Sequence, residues 1–250
     1  MKKIVSAFLA AMCFGVVSYA QTIGVLCYHS ISNNPLKYSE YCISTQEFEE
    51  DVKYFIEQGY NIVKPCNMWY AKGDKNIVLT SDDGYEDFYT NVFPILKKYN
   101  ACAAVYIMSS KINKSGYLKD WQIKEMHDSG LVEIGNHMHI MHNRGMETLR
   151  GYYNDEIMLK EAVEDIKRCS NEIEKITGKP TESMAFPYGV YTDRLNSILR
   201  NNLGFTTSFS TQAGILRGSW DFENPIKRIY RCHGDTPQKM IEAINNYKNN

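Results

Sequence analysis

Residues 77–84 read Ile-Val-Leu-Thr-Ser-Asp-Asp-Gly, a short apolar run that ends in two adjacent carboxylates. A β-branched run bounded by polar residues predicts a buried strand that ends near Ser81. Neighbouring side chains at a strand end point in different directions, so Asp82 and Asp83 can serve different tasks. One carboxylate can bind a metal ion while the other accepts a proton. A histidine cluster lies further along the chain, at His137, His139 and His142. Together these residues indicate metal-assisted hydrolysis.

Strand-like and helix-like segments alternate on both sides of this stretch. Eight short apolar runs predict strands at residues 23–28, 61–64, 77–81, 102–108, 131–134, 183–186, 205–209 and 226–231. Apolar residues at helical spacing predict helices between most of them, the longest from about residue 155 to residue 177. Repeated βα units give parallel strands with right-handed crossovers. The pattern favours an α/β fold, a small (β/α) barrel rather than an open doubly wound sheet.

Chemically useful side chains follow five of the predicted strands. They are Tyr28 and His29, Asp82 and Asp83, Asn136 and His137, Pro187 and Tyr188, and Cys232 and His233. The carboxyl ends of parallel barrel strands lie at one face, and the active sites of such barrels are built there. We therefore expect these side chains to converge.

The start of the chain has the pattern of a secretory signal peptide. Two lysines precede an apolar stretch at residues 4–17, and small residues follow up to Ala20. The apolar stretch is shorter than the ~20 residues of a spanning helix, so cleavage after Ala20 is expected, without stable membrane insertion afterwards. Residues 21–250 suit a single domain. The sequence predicts an exported protein, located in the periplasm, outside the cell or at the cell surface.

The charge and the cysteines restrict the function further. The net charge is −1 and no basic run is present, so nucleic acid is not expected as a partner. Substrates should be neutral or weakly charged. Six cysteines follow residue 20 without a CxxC pattern. Core thiols and one or two disulfides are both compatible with this spacing in an exported protein.

Four motifs resemble the polysaccharide deacetylase family, also called the NodB-homology domain or carbohydrate esterase family four. Residues 25–31 resemble its opening strand, and residues 79–87 its T-F-D-D-G motif, with Ser81 in place of Phe. Residues 133–137 followed by His142 resemble its histidine motif, and residues 185–189 its third motif. The resemblance covers nearly all of residues 21–250. It implies a distorted (β/α) barrel of about seven or eight strands, of the NodB-homology type.

The histidine spacing resembles one branch of this family. His137 and His142 are five positions apart, whereas the commoner family spacing is four. The branch with the longer spacing removes N-acetyl groups from poly-β-1,6-N-acetylglucosamine. The resemblance therefore implies a metal-dependent hydrolase whose partner is an N-acetylated exopolysaccharide of this kind. The alternatives are deacetylation of peptidoglycan, chitin oligomers or O-acetyl xylan, and an inactive glycan-binding module.

The resemblance also implies roles for individual residues. Asp83, His137 and His142 would bind one divalent metal ion, zinc first, with cobalt or nickel as alternatives. Such a ligand set leaves positions open for water and substrate. Asp82 would be the general base. The backbone N–H of Tyr188 would stabilise the oxyanion together with the metal. His139 is an alternative ligand, because it lies two residues from His137.

Two positions depart from the family pattern. The late L-x-H motif, whose histidine is often the general acid, is matched by residues 231–233, with Arg231 where Leu is usual. The general acid is therefore His233 or His29, since either imidazole could protonate a leaving amine. The arginine that often orients the base is replaced by Ala185. The sequence does not indicate which group orients Asp82.

Overall fold

The computed structural model describes residues 21–33, 40–218 and 223–249. The predicted signal peptide, residues 1–20, lies outside this range. Within the described ranges, every helix is too short or too polar to cross a membrane.

Nine strands in the described residues form one curled sheet, a half-barrel. They are β1 (Thr22–Tyr28), β2 (Asn61–Ile62), β3 (Asn76–Ser81), β4 (Ala103–Ile107), β5 (Val132–Asn136), β6 (Ser183–Ala185), β7 (Thr207–Phe209), β8 (Leu216–Arg217) and β9 (Ile229–Tyr230). The main path runs β7-β6-β5-β4-β3-β1-β8, with β2 beside β3 and β9 beside β1. All pairs are parallel except that of β1 with β8. The predicted α/β barrel class is confirmed.

Helices follow most of the strands. They are α1 (Thr45–Glu57), α2 (Phe93–Tyr99), α3 (Asp120–Asp128), α4 (Met146–Asn154), α5 (Glu156–Thr177), α6 (Asp193–Leu203) and α7 (Pro237–Asn249). Capping residues account for two of these boundaries. Ser44 and Glu47 form a capping box at the start of α1, and α5 runs from the N-cap Asp155 to Gly178 at φ +77°. The prediction missed α4 and β8.

The core explains why the central strands are so apolar. Every residue of β1, β3 and β4 is buried, because helices cover one face and the curled interior covers the other. Gly135 in β5 permits this packing. A Cβ atom at Gly135 would lie 2.2 Å from a ring carbon of Tyr106, which fills the interior. The six described cysteines are all free thiols, as the core-thiol alternative expects.

The parallel strands bring their carboxyl ends to one edge of the sheet. Strands β1, β3, β5, β6 and β9 all run in the same direction, so the residues that follow them share this edge. The loop after β7 joins the same region through a bridge between Phe209 and Ile226. That bridge places the segment before β9 next to β7, while β9 itself pairs with β1.

Candidate active site

Asp83, His137 and His142 converge on one point. The Nε2 atom of His142 lies 3.3 Å from Asp83 Oδ1, and the Nε2 atom of His137 lies 3.5 Å from the same oxygen. The three potential ligand atoms all lie within 4.8 Å of one another. Asp83 and His137 are buried and His142 is half-buried, so the cluster is largely shielded from solvent.

The local backbone aims the first of these side chains. The Asp82 N–H still donates to Tyr28 O, at 3.0 Å, so the β1–β3 ladder continues through Asp82. Asp83 and Gly84 then both adopt positive φ, +74° and +72°, which turns the chain sharply out of the strand. A Cβ atom at Gly84 would lie 2.9 Å from Ile107 Cγ2. The Asp-Asp-Gly sequence therefore fits a turn that presents the two carboxylates differently.

The histidines are prepared to act as metal ligands. The Nδ1 atom of His137 donates to Ala185 O at 2.8 Å, so Nε2 is the nitrogen that faces Asp83 and that would bind a metal ion. Burial, followed by the charge of His137, lowers the pKa of His142 to about 4, so its imidazole is neutral at pH 7. Four ligands around a zinc ion at 2.0–2.1 Å are separated by about 3.3 Å in a tetrahedral arrangement. The donor set and its spacing therefore fit a divalent cation.

Asp82 is bound by a buried arginine. Nη1 and Nη2 of Arg228 donate to its two carboxylate oxygens at 2.8 Å and 2.7 Å. Arg228 also donates from Nη1 to Thr80 Oγ1 at 3.2 Å and from Nε to Ser210 O at 2.9 Å, and both charged side chains are buried. Arg228 is thus the group that orients Asp82. The sequence left this group unidentified, because Ala185 stands where the family often has an arginine. The sequence signal that could have identified Arg228 is an arginine between Ile226 and Ile229, within the predicted strand 226–231.

This arginine fixes the protonation state of Asp82. Burial alone would raise the pKa of Asp82, but the charge of Arg228, and then that of His137, outweighs burial and holds the pKa below its ordinary value. Asp82 is therefore an oriented, ionised carboxylate at neutral pH. Its bidentate geometry also restricts rotation of the carboxylate plane.

His29 lies beside Asp82, whereas His233 does not. One ligand atom each of His29, Cys27 and Asp82 lie within 4.8 Å of one another. Because Arg228 holds both oxygens of Asp82, this second group is poorly suited to a cation. The Nδ1 atom of His29 is buried and makes no hydrogen bond within the described chain, and its ring stacks on Tyr230. The ring of His233 is more exposed, and its Nδ1 atom contacts Glu47 at 3.1 Å.

His139 and Tyr188 are not part of the three-residue cluster of candidate ligands. The Nδ1 atom of His139 lies 2.8 Å from Ser109 Oγ and 3.3 Å from Glu172, away from Asp83. The Tyr188 ring stacks on His142, with centroids 4.7 Å apart, and its hydroxyl donates to His142 O. Tyr188 adopts φ +56°. The turn after β6 therefore lies directly against the second histidine.

A cleft of about 740 Å³ opens onto Asp83 and His29. Hydroxyl, aromatic and acidic side chains line it, among them Tyr85, Tyr117, Glu86 and Asp87. Glu86 lies 3.7 Å from the ammonium of Lys119, and Asp87 accepts a hydrogen bond from Ser30. None of the described lining residues is a lysine or arginine. Because a lysine pairs with Glu86 and burial raises the pKa of Asp87 to about 6, the cleft is polar rather than strongly acidic and suits a neutral ligand.

Comparisons with known proteins find polysaccharide deacetylases. A family model described as polysaccharide deacetylase matches residues 70–208. The Bacillus subtilis protein YxkH, whose name describes a polysaccharide deacetylase, is 32% identical over 45% of this chain and 41% of its own length. A poly-beta-1,6-N-acetyl-D-glucosamine N-deacetylase of Staphylococcus aureus is 24% identical over 69% of this chain and 63% of its own length. The chain thus spans less than two thirds of these relatives.

Solved structures show the same fold along nearly the whole chain. IcaB from Ammonifex degensii superposes with a TM-score of 0.73 at 25% identity, covering 90% of this chain and 96% of that one. A de-N-acetylase from Aggregatibacter actinomycetemcomitans superposes with a TM-score of 0.75 at 24% identity, covering 90% and 99%.

Proposed function

Since the chain belongs to the polysaccharide deacetylase family, as its four motifs predicted, we propose that it is a metal-dependent hydrolase of N-acetyl groups in an N-acetylglucosamine-containing polysaccharide. One observation carries the proposal: two adjacent carboxylates have separate partners, Asp83 with the two histidines and Asp82 with Arg228. A poly-β-1,6-N-acetylglucosamine-like exopolysaccharide is the proposed substrate, supported by the names of the staphylococcal relatives.

Asp83, His137 and His142 would hold one divalent cation, zinc or else cobalt or nickel. When bound, the ion would polarise the acetyl carbonyl and lower the pKa of a water molecule. The backbone N–H of Tyr188 would donate to the developing oxyanion. The packing of Tyr188 on His142 supports this role, because it brings the turn next to the cation ligands.

Asp82 would accept a proton from the attacking water, since Arg228 keeps it ionised and oriented. Burial lowers the pKa of His29, so its imidazole is neutral before the reaction. His29 would take the proton from Asp82 and donate it to the leaving nitrogen, so that the carbon–nitrogen bond breaks to give acetate and a free amine, and both groups return to their starting states. Their proximity, with ligand atoms within 4.8 Å, supports this exchange.

The lining of the cleft supports the proposed polymer over peptidoglycan. N-acetylglucosamine units are neutral, and none of the described lining residues is a lysine or arginine that could pair with the carboxylates of peptidoglycan stem peptides. The charge of the cleft does not discriminate against chitin oligomers or O-acetyl xylan.

Acetate release from a substrate panel tests the proposal. The panel comprises β-1,6-linked N-acetylglucosamine oligomers, chitin oligomers, peptidoglycan and O-acetyl xylan, each with the full chain and with zinc added. The β-1,6-linked oligomers should give the highest kcat/KM. Higher turnover of another member would reassign the substrate. Binding of these glycans without any acetate release would favour the inactive glycan-binding module.

Metal removal should abolish the activity. We expect dialysis against a chelator to reduce acetate release to the background rate, and stoichiometric zinc to restore it. His142→Ala should lose stoichiometric zinc binding, measured by elemental analysis of the purified protein. His127→Ala is the matched control, because that half-buried histidine lies on α3 outside the cluster. Full turnover in the chelator-treated protein would contradict the metal dependence.

His29 and His233 can be separated by substitution. We expect His29→Gln to lower kcat for acetate release by about 10²–10⁴-fold, the usual contribution of a positioned acid or base. His233→Gln should leave kcat within about twofold, because its imidazole contacts Glu47. Steady-state kinetics on the same oligomer measures both. The reverse ranking of the two variants would assign the acid to His233.

A further inference from the structure

We infer that Asp165 is a positioning residue for the candidate metal site. Asp165 lies on α5, and its carboxylate holds the loop between His137 and His142 in the conformation that aims both imidazoles at Asp83. The inference rests on the proposed metal-binding role of those three residues. It assigns a task to a buried acid outside the four motifs.

The carboxylate of Asp165 accepts hydrogen bonds from three successive backbone N–H groups. The Oδ2 atom accepts from His139 N at 2.7 Å and from Met141 N at 3.4 Å, and Oδ1 accepts from Ile140 N at 3.1 Å. Asp165 is only 8% exposed, and no lysine or arginine pairs with it among the ion pairs of the described residues. Consecutive N–H groups that point at one anion form a concave nest, so the carboxylate and this loop define each other's geometry.

The loop needs such an external anchor because its backbone is unusual. Met138 follows the first histidine directly and adopts φ +68°, a left-handed conformation that a side chain of this size rarely takes. Its N–H donates to Asn136 Oδ1 at 2.8 Å, which fixes the start of the loop. Asp165 fixes the next three residues, directly before His142. The five-residue spacing of the histidines therefore depends on an irregular segment, residues 138–140, that leads into the 3₁₀ helix Met141–Arg144 and is held by these contacts.

A second contact from the same helix supports this arrangement. Glu172 lies two turns after Asp165 on α5, and its carboxylate is 3.3 Å from His139 Nδ1. Ser109 Oγ lies 2.8 Å from the same nitrogen. The loop is thus attached to α5 through its backbone at Asp165 and through a side chain at Glu172. These attachments also account for the orientation of His139 away from Asp83.

Zinc affinity distinguishes a positioning role from a merely stabilising one. We expect Asp165→Asn to raise the zinc Kd by about 10–100-fold, the usual effect of losing a group that orients metal ligands. The amide keeps the shape of the side chain but presents an NH₂ group to N–H donors. Competition with a chromophoric chelator gives the Kd, and the visible spectrum of the cobalt-loaded protein reports the ligand geometry. Glu161→Gln, an exposed acid on the same helix, should leave both unchanged.

Three outcomes decide the inference. A folded Asp165→Asn variant, shown by parent-like circular dichroism, with the zinc Kd and cobalt spectrum of the parent would overturn it. If the parent itself binds no zinc or cobalt, the proposed metal site fails and the positioning role fails with it. Amide hydrogen exchange in the metal-free parent is a third test, and it does not depend on whether a variant folds. The amides of His139, Ile140 and Met141 should be protected, and fast exchange at all three would also overturn the inference.

Discussion

Asp82→Asn is expected to lower kcat for acetate release by about 10²–10⁴-fold while stoichiometric zinc binding is retained. The amide has the shape of the carboxylate but cannot accept a proton from the attacking water. The three candidate ligands, Asp83, His137 and His142, are unchanged by the substitution. This variant should therefore lose activity but keep metal binding, whereas a variant of Asp83 should lose both.

The measurement combines steady-state kinetics, elemental analysis of bound zinc and thermal unfolding. Unfolding matters because the substitution also leaves the guanidinium of Arg228 without its counter-charge, so kcat is compared at a temperature where both proteins are folded. Asp128→Asn is the matched control, since it removes only an exposed ion pair with Lys124. A kcat within tenfold of the parent would exclude Asp82 as the general base.

Arg228→Met should impair both stability and catalysis. Removing one partner of a buried ion pair leaves an uncompensated charge and costs about 3–5 kcal/mol of unfolding free energy. The folded fraction should also have a lower kcat, because Asp82 loses both donors that orient it. Arg228→Lys should retain the charge without the bidentate geometry and fall between the parent and Arg228→Met in kcat. Urea unfolding and single-substrate kinetics measure the two effects.

Two further variants separate the stability effect from the catalytic one. Arg231 forms a similarly buried pair with Asp51, donating to its oxygens at 2.8 Å and 3.1 Å, and Tyr28 completes that cluster. Arg231→Met should lose comparable stability while the folded protein keeps its kcat. The double variant Arg228→Met with Asp82→Asn should regain stability relative to Arg228→Met but remain inactive. Parent-like kcat in folded Arg228→Met would show that Arg228 does not orient the base.

The sequence predicted the parts of this fold that depend on local patterns. Strands β1, β3 and β4 contain apolar runs and are buried along their whole length because both faces are covered, and helix α5 has an N-cap and a terminal glycine. The missed elements have weak local signals. Helix α4 contains Gly151 and only two buried residues, and β8 is a two-residue pair at the edge of the sheet. Strand β9 is shorter than predicted because only two residues pair with β1.

The arrangement of the candidate site was only partly predictable. The sequence could predict that Asp83, His137 and His142 lie together, because these residues follow predicted parallel strands and belong to motifs with a characteristic spacing. The partner of Asp82 does not follow from spacing, because Arg228 reaches it across 146 positions of sequence. His29 and His233 both follow predicted strands. Their difference depends on a contact between His233 and Glu47, 186 positions apart, that no local pattern encodes.

The long separation between Asp82 and Arg228 has a consequence for how the molecule is made. During synthesis, Asp82 is added to the chain 146 positions before Arg228, and Asp51 is added 180 positions before Arg231. Until the segment around β9 joins β1, Asp82 and Asp51 have no positively charged partner. A folding intermediate that buries either carboxylate before that step is therefore disfavoured. Non-local closure of this kind is intrinsically slow, and we expect it late in folding. On the proposed role of Asp82, a partly folded chain would lack an oriented base, and catalytic competence would coincide with completion of the sheet.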